Sequence, residues 1–232
     1  ALSITGCILS NELIDALPVH IVEMTASGLC EIMVGADDDR FSEKPGPLSA
    51  IALQEYFDLI EVKLAVGQRA EAHLAANGWI RGVAASLRRG FVITIDYGYL
   101  VPELYGRMRM NGTLLCYFRH KVEEDPYIRV GLQDITTHVD FTSLIKAGED
   151  AGLQKVWYGE QYRFLMATGI MEEMMALESR PVPEGERLKD RLALKKLMLP
   201  DGGMGDTFKV LVQSRNVEAP DLLCLKEWTT GF

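Results

Sequence analysis

The sequence predicts an α/β fold built on a mostly parallel sheet, and two observations carry that reading. Gly90-Phe91-Val92-Ile93-Thr94-Ile95-Asp96-Tyr97-Gly98 is a near-continuous β-branched run, the pattern of a strand covered by helices on both faces. Strand-like and helix-like segments then alternate as strand, insert, strand, helix, strand, helices, strand, which is α/β organisation.

Each segment has its own signal. Ser3–Ser10 has the apolar character of a buried strand and gives way to the polar stretch Asn11–His20. His20–Met24 and Leu29–Val34 alternate around Ser27-Gly28 and predict a hairpin. Asp37-Asp38-Asp39 and Glu43-Lys44-Pro45-Gly46-Pro47 read as a loop, since the acids repel and prolines block regular structure. Helical spacing runs through Leu48–Ile60 and Gln68–Asn77. Trp79–Leu87 puts Ile80, Val83, Ala84 and Leu87 on one helix face and ends at Arg88-Arg89-Gly90, cations and a glycine suited to a C-terminus. After the strand at 90–98, residues 100–137 read as irregular, a length that compact domains reserve for working loops. Asp140–Gly152 reads as a helix, Lys155–Tyr162 as a strand, and Phe164–Ala176 and Glu186–Met198 as helices joined by Pro181–Gly185. Asp201–Gly205 is a turn into the last strand, Phe208–Gln213. The visible strands amount to the second half of a Rossmann-like sheet. A chain that opens in a strand also predicts sequence upstream, because such a strand needs neighbours.

Composition narrows the function classes. The 232 residues hold 33 acids against 24 Lys and Arg, a net charge of −9 that argues against general nucleic-acid binding. With 48% hydrophobic and 25% charged residues the chain is neither disordered nor fibrous. Cys7, Cys30, Cys116 and Cys224 form no C-x-x-C pair and read as reduced, mostly buried thiols; His20, His73, His120 and His138 have no metal-ligand spacing. No apolar run is long enough to span a membrane, and no leader pattern opens the sequence, so a cytoplasmic or organelle-matrix location is expected. Glycine-rich phosphate loops and the G-x-S-x-G elbow are absent.

The residues left to carry chemistry are acids and amides at strand ends, where open α/β sheets place ligands. Glu12 and Asp15 are three apart, so a helical turn would set both carboxylates on one face, suited to a guanidinium; capping a helix is the alternative, and Pro18 favours a loop facing a cleft. In Asp134-Ile135-Thr136-Thr137-His138-Val139-Asp140-Phe141, His138 suits a general base or an orienting group, or else caps a helix. Arg81–Lys121 interleaves Arg and Tyr residues, either a docking surface for an acidic partner or a solvated face.

Asn11–His20, Ile95-Asp96-Tyr97-Gly98, Asn111-Gly112-Thr113-Leu114, Gly131–Phe141 and Met204–Leu211 together resemble, in this order, the MidA-like family of S-adenosylmethionine-dependent methyltransferases. These are relatives of a mitochondrial factor that methylates an arginine of a respiratory complex I subunit. The resemblance implies the C-terminal part of a class I methyltransferase sheet with an inserted mixed hairpin/helical subdomain. Residues 1–20 would be strand four and its active-site loop, 21–90 the insert, and 91–232 the rest of the core. It implies S-adenosylmethionine as cofactor, with the main binding loop upstream in an N-terminal half of the same enzyme. Asn11 would lie near the sulfonium. Glu12 and Asp15 would hold a target arginine of a protein substrate, with His138 beside them and Asp96, Tyr97 and Asp134 binding substrate. A non-catalytic assembly factor and a small-molecule methyltransferase are the alternatives.

Overall fold

The computed structural model describes residues 3–38, 40–119, 121–199, 203–218 and 220–226. Strand β1 (Ile4–Asn11) is followed by β2 (His20–Thr25), β3 (Gly28–Asp37), β4 (Arg40–Gly46), α1 (Ile51–Leu59), β5 (Arg69–Ala72) and α2 (Leu74–Ser86). The long strand β6 (Leu87–Tyr99) leads to α3 (Val101–Leu104) and the short strands β7 (Leu115–Phe118), β8 (Lys121–Glu123), β9 (Asp134–Thr136) and β10 (Val139–Asp140). Then come α4 (Phe141–Asp150), β11 (Gln154–Glu160), α5 (Gln161–Thr168), α6 (Ile170–Glu178), α7 (Glu184–Met198) and β12 (Phe208–Arg215).

The main sheet has the order β1-β6-β12-β11, with β10 beside the far end of β6. β1 and β6 run parallel, whereas β12 runs antiparallel to both β6 and β11. The sheet is therefore mixed rather than mostly parallel. A continuous apolar run reports burial on two faces and says nothing of direction, so Phe208–Gln213 could not reveal this. Helices α2 and α4 cover one face through Ile80, Ala84, Phe141 and Leu144, packed on Val92 and Leu211. Gly98 makes the junction with β10 possible: a Cβ there would sit 2.2 Å from the Val139 carbonyl oxygen, so only glycine lets the two backbones lie this close.

The segment between β1 and β6 forms a second sheet, β4-β3-β2-β5, whose core of Val22, Leu53, Tyr56 and Phe57 also takes in Leu104 and Tyr105. Several sequence expectations are corrected here. Arg40–Gly46, read as loop, is strand β4; Pro45 is tolerated because β4 is an edge strand, and Lys44 pairs with Asp37 at 2.8 Å. Asp39 lies outside the described residues. Arg69–Ala72, read as helix, pairs with His20–Glu23 as β5, and the helix begins only at Leu74; tertiary pairing overrides a helical propensity this short. Residues 161–178 are two helices, broken at Gly169 with φ +101°. The stretch 100–137 carries α3 and a three-stranded flap of order β8-β7-β9. Of the turn at 201–205, Asp201 and Gly202 lie outside the described residues. No helix among the described residues is long and apolar enough to cross a membrane.

Candidate active site

The loop after β1 is built by its neighbours. Ile14 is fully buried in the core beneath α2 and α4, and Leu17 N–H donates to the Ile14 carbonyl at 3.1 Å. Glu12 adopts φ +46°, so residues 12–17 form a turn rather than the helical turn that spacing allowed. Asp96, fully buried at the end of β6, anchors the turn. Its Oδ2 accepts from Ile14 N at 3.0 Å and Asp15 N at 3.3 Å, and its Oδ1 accepts from Tyr97 N at 2.9 Å. Those three donors favour the carboxylate, yet burial and then the nearby Asp15 charge outweigh them and push the Asp96 pKa up to about 7.

Asp15 is 5% exposed. Its Oδ2 accepts a hydrogen bond from the Tyr97 hydroxyl, while Oδ1 is buried without a partner among the described residues. Burial, and secondarily this bond to a carboxylate, holds the Tyr97 hydroxyl well above its usual range, so it remains a donor. Thr137 N–H donates to the Asp15 carbonyl at 3.0 Å and ties the loop to the end of the flap.

His138 is fixed from the other side. Its N–H donates to Thr113 Oγ1 at 3.0 Å, and Thr113 belongs to a loop wrapped on the buried Glu71. Glu71 accepts from Thr113 N at 2.8 Å, Leu114 N at 3.1 Å and Thr113 Oγ1 at 3.2 Å. Gly112 is required there, since φ is +74° and a Cβ would lie 2.3 Å from Glu71 Oε1. The imidazole stands edge-on to Tyr97 at 5.5 Å and tilted on Tyr99 at 5.3 Å. Burial, and then the Arg109 charge, lower its pKa to about 4, so the ring is neutral near pH 7, and Nδ1 has no partner among the described residues.

These elements enclose a cleft of about 800 Å³. Glu12, Asp15, Tyr97, Asp134 and His138, all named from the sequence, line it together. Asp96 lies beneath the cleft and holds the loop. Asn11 sits at the end of β1 outside the cleft wall, its amide donating to Glu12 Oε1 at 3.3 Å. Sequence reading missed Tyr117, Arg119, Thr136 and Phe208 as wall residues. Tyr117 and Arg119 belong to the Arg/Tyr-rich stretch, which was the available signal; nothing local marked Glu71 or Thr113 as supports.

Carboxylates on one wall, aromatic edges and a neutral imidazole suit a cationic, hydrogen-bond-donating guest. At the end of β1 the exposed Asn11 amide and Glu12 carboxylate are the polar groups available to a cationic cofactor group. A glycine-rich loop to hold the remainder of a nucleoside cofactor follows no strand in this sequence. No group of three or more metal-ligating side chains occurs among the described residues.

Comparison with known proteins adds an independent line. Residues 1–159 match a family described as "Putative S-adenosyl-L-methionine-dependent methyltransferase". The mitochondrial protein arginine methyltransferase NDUFAF7 of Danio rerio is 30% identical over 196 residues, covering 75% of this chain and 40% of that protein. A Burkholderia thailandensis structure bound to S-adenosyl-homocysteine is similar with a TM-score of 0.85 and 34% identity, covering 98% of this chain and 58% of that one. A native structure from the same organism also gives 0.85, at 36% identity over 95% of this chain and 58% of that one. The chain thus spans 40% of the curated relative and 58% of each solved structure.

Proposed function

The chain belongs to this family of S-adenosyl-L-methionine-dependent methyltransferases, and from that premise we propose that its cleft is the acceptor side of a methyl-transfer site that takes the guanidinium of a protein arginine. The observation that carries the reading is Asp15. It is a buried carboxylate, oriented by Tyr97, with one oxygen unpartnered, in the wall of a cleft that Glu12 and Asp134 also line. The arginine methyltransferase named above supports the choice of acceptor.

S-adenosylmethionine, when bound, supplies a methyl carbon on a positively charged sulfur. The work of this chain is to present the acceptor nitrogen. Asp15 and Glu12 take guanidinium N–H groups and orient one nitrogen toward the donor, an effect of positioning and fixed charge. Tyr97 keeps Asp15 in one rotamer, and Asp96 holds the backbone that carries it. With a pKa near 4, His138 is an orienting acceptor through its free Nδ1 rather than a store for protons. The proton released on methylation passes to a carboxylate of the cleft and on to solvent, which Glu12 reaches directly.

The test is transfer of labelled methyl from the donor to basic protein acceptors, using the chain with whatever sequence flanks it in the native protein, followed by amino-acid analysis. Label on methylarginine is expected. Label on another residue or on a small molecule overturns the arginine assignment. Donor binding without any transfer overturns the catalytic reading in favour of an assembly role.

A further inference from the structure

Arg119 is the one lysine or arginine among the described residues that line the cleft, and it shares the wall with Glu12, Asp15 and Asp134. Beside a site for a guanidinium it repels the guest, so its presence there calls for an anion of its own. None of the three carboxylates fills that role. Arg119 is exposed and has no ion pair or side-chain hydrogen bond among the described residues. Its guanidinium carbon lies 5.2 Å from the ring centre of Phe118.

The backbone there does not favour an arginine. Arg119 opens the two-residue connection between Phe118 and Lys121, the last pair of β7 and β8, and adopts φ +50°. Asn or Gly carries less strain in that left-handed region, and residues that break a local rule in this way gather at binding sites. Register sets what lies beside it. Tyr117 pairs with Asp134 on one side and Val122 on the other, so the three side chains form a row on one face of the flap. Tyr117 and Asp134 put that face on the cleft, and Val122, 58% exposed, carries the row out to solvent. Position 119 is one strand over from Asp134 and two residues along, roughly 8 Å, the span of two or three residues of extended chain.

We propose that Arg119 is a specificity-determining residue, which receives an acidic side chain two or three positions from the target arginine of a protein substrate. The inference rests on the arginine reading of the cleft and adds a second determinant to it. The guest is then a segment of both charges: its guanidinium goes to Asp15, its carboxylate to Arg119, and the residue between lies across Tyr117 and Val122. A guanidinium suits such a carboxylate, because its planar fork gives two parallel hydrogen bonds. The methionine end of the cofactor also carries a carboxylate, but the groups placed for the cofactor are at the end of β1, and Arg119 stands on the flap.

Fluorescence anisotropy of labelled peptides tests it, using the chain with its native flanking sequence and requiring no methyl transfer. Two peptides hold one arginine and differ only in having glutamate or glutamine two residues to either side of it. The glutamate peptide is expected to bind about five-fold tighter, the reach of an exposed ion pair, with the preference fading in about 1 M salt. Arg119→Asn removes the preference yet melts no lower than wild type, since asparagine suits the left-handed backbone. Arg119→Glu turns the preference toward a peptide with lysine in place of glutamate. Equal binding of the first two peptides by the wild type, binding of neither, or a preference that survives Arg119→Asn overturns the proposal. So does an Arg119→Asn variant that keeps the preference and loses affinity for S-adenosylmethionine, which assigns the carboxylate to the cofactor. Methyl label on the arginine of both peptides alike, with equal binding, overturns this proposal and leaves the arginine reading standing. A glutamate preference without any label supports Arg119 and tells against methyl transfer.

Discussion

Asp15 and Asp140 are both carboxylates buried at the carboxyl end of the main sheet, 5% and 1% exposed, and they are treated in opposite ways. Asp140, at the junction with the inserted sheet, is saturated. It caps α4 by accepting from Ser143 N at 3.0 Å, and takes the hydroxyls of Tyr56 at 2.6 Å and Tyr105 at 3.3 Å. Tyr105 shares its hydroxyl with the Glu71 carbonyl at 2.9 Å, so the network runs from core to insert. Asp15, in the cleft, has one tyrosine and one bare oxygen. A buried polar group left without a partner costs about 1–3 kcal/mol, which a protein sustains where a ligand is to complete the set. The junction is therefore built for rigidity and the cleft for a guest.

The contrast makes quantitative predictions. The largest effect is expected from Asp140→Ala, which strips a helix cap and takes the charged acceptor from the buried hydroxyls of Tyr56 and Tyr105, leaving them Ser143 Oγ and the Glu71 carbonyl. It should destabilise the fold by about 3 kcal/mol, read by denaturant titration. Asp15→Asn should do the reverse, leaving stability nearly unchanged while lowering methyl transfer about 100-fold, in the range seen for single preorganised charges. Equal losses of stability in the two variants would erase the distinction.

Between these lies Gly112→Ala, which drives a methyl into the Glu71 carboxylate at a backbone angle unsuited to alanine. A loss of about 2 kcal/mol is expected, together with a rise in the pKa of His138 by NMR as its backbone anchor at Thr113 loosens and water enters.

A further prediction concerns pH. Asp96 has its pKa raised from 3.8 to about 7 on folding, so the folded state holds the proton more tightly. Stability from this group is present at low pH and lost as pH rises from about 4 to about 7. Asp96→Asn removes that slope: the melting temperature of the variant relative to wild type should climb across this window. His138 works in the other sense, since its lowered pKa makes stability fall as pH drops from 6.5 toward 4.

Much of this was legible in the residues. The buried run at 90–98, the hairpin at 20–34 and the helices at 48–60, 79–87 and 140–152 follow from periodicity and end signals, which are local properties. The acids at 12 and 15 and the polar cluster at 134–138 could be named because they end apolar strands. What could not be read was who supports them. Asp96 looked like a substrate ligand and is the anchor of a loop more than 80 residues earlier in the chain; Glu71 carried no signal at all.

The sequence by itself determined the fold class, most of the elements and five residues that share one cleft, because hydrophobic period and turn chemistry act over a few residues. Only the tertiary structure decided that β12 runs antiparallel, that Arg69–Ala72 is a strand, and which carboxylates are satisfied. Strand direction, edge pairing and hydrogen-bond partnership each depend on residues distant along the chain, and their free energies appear only once those residues meet.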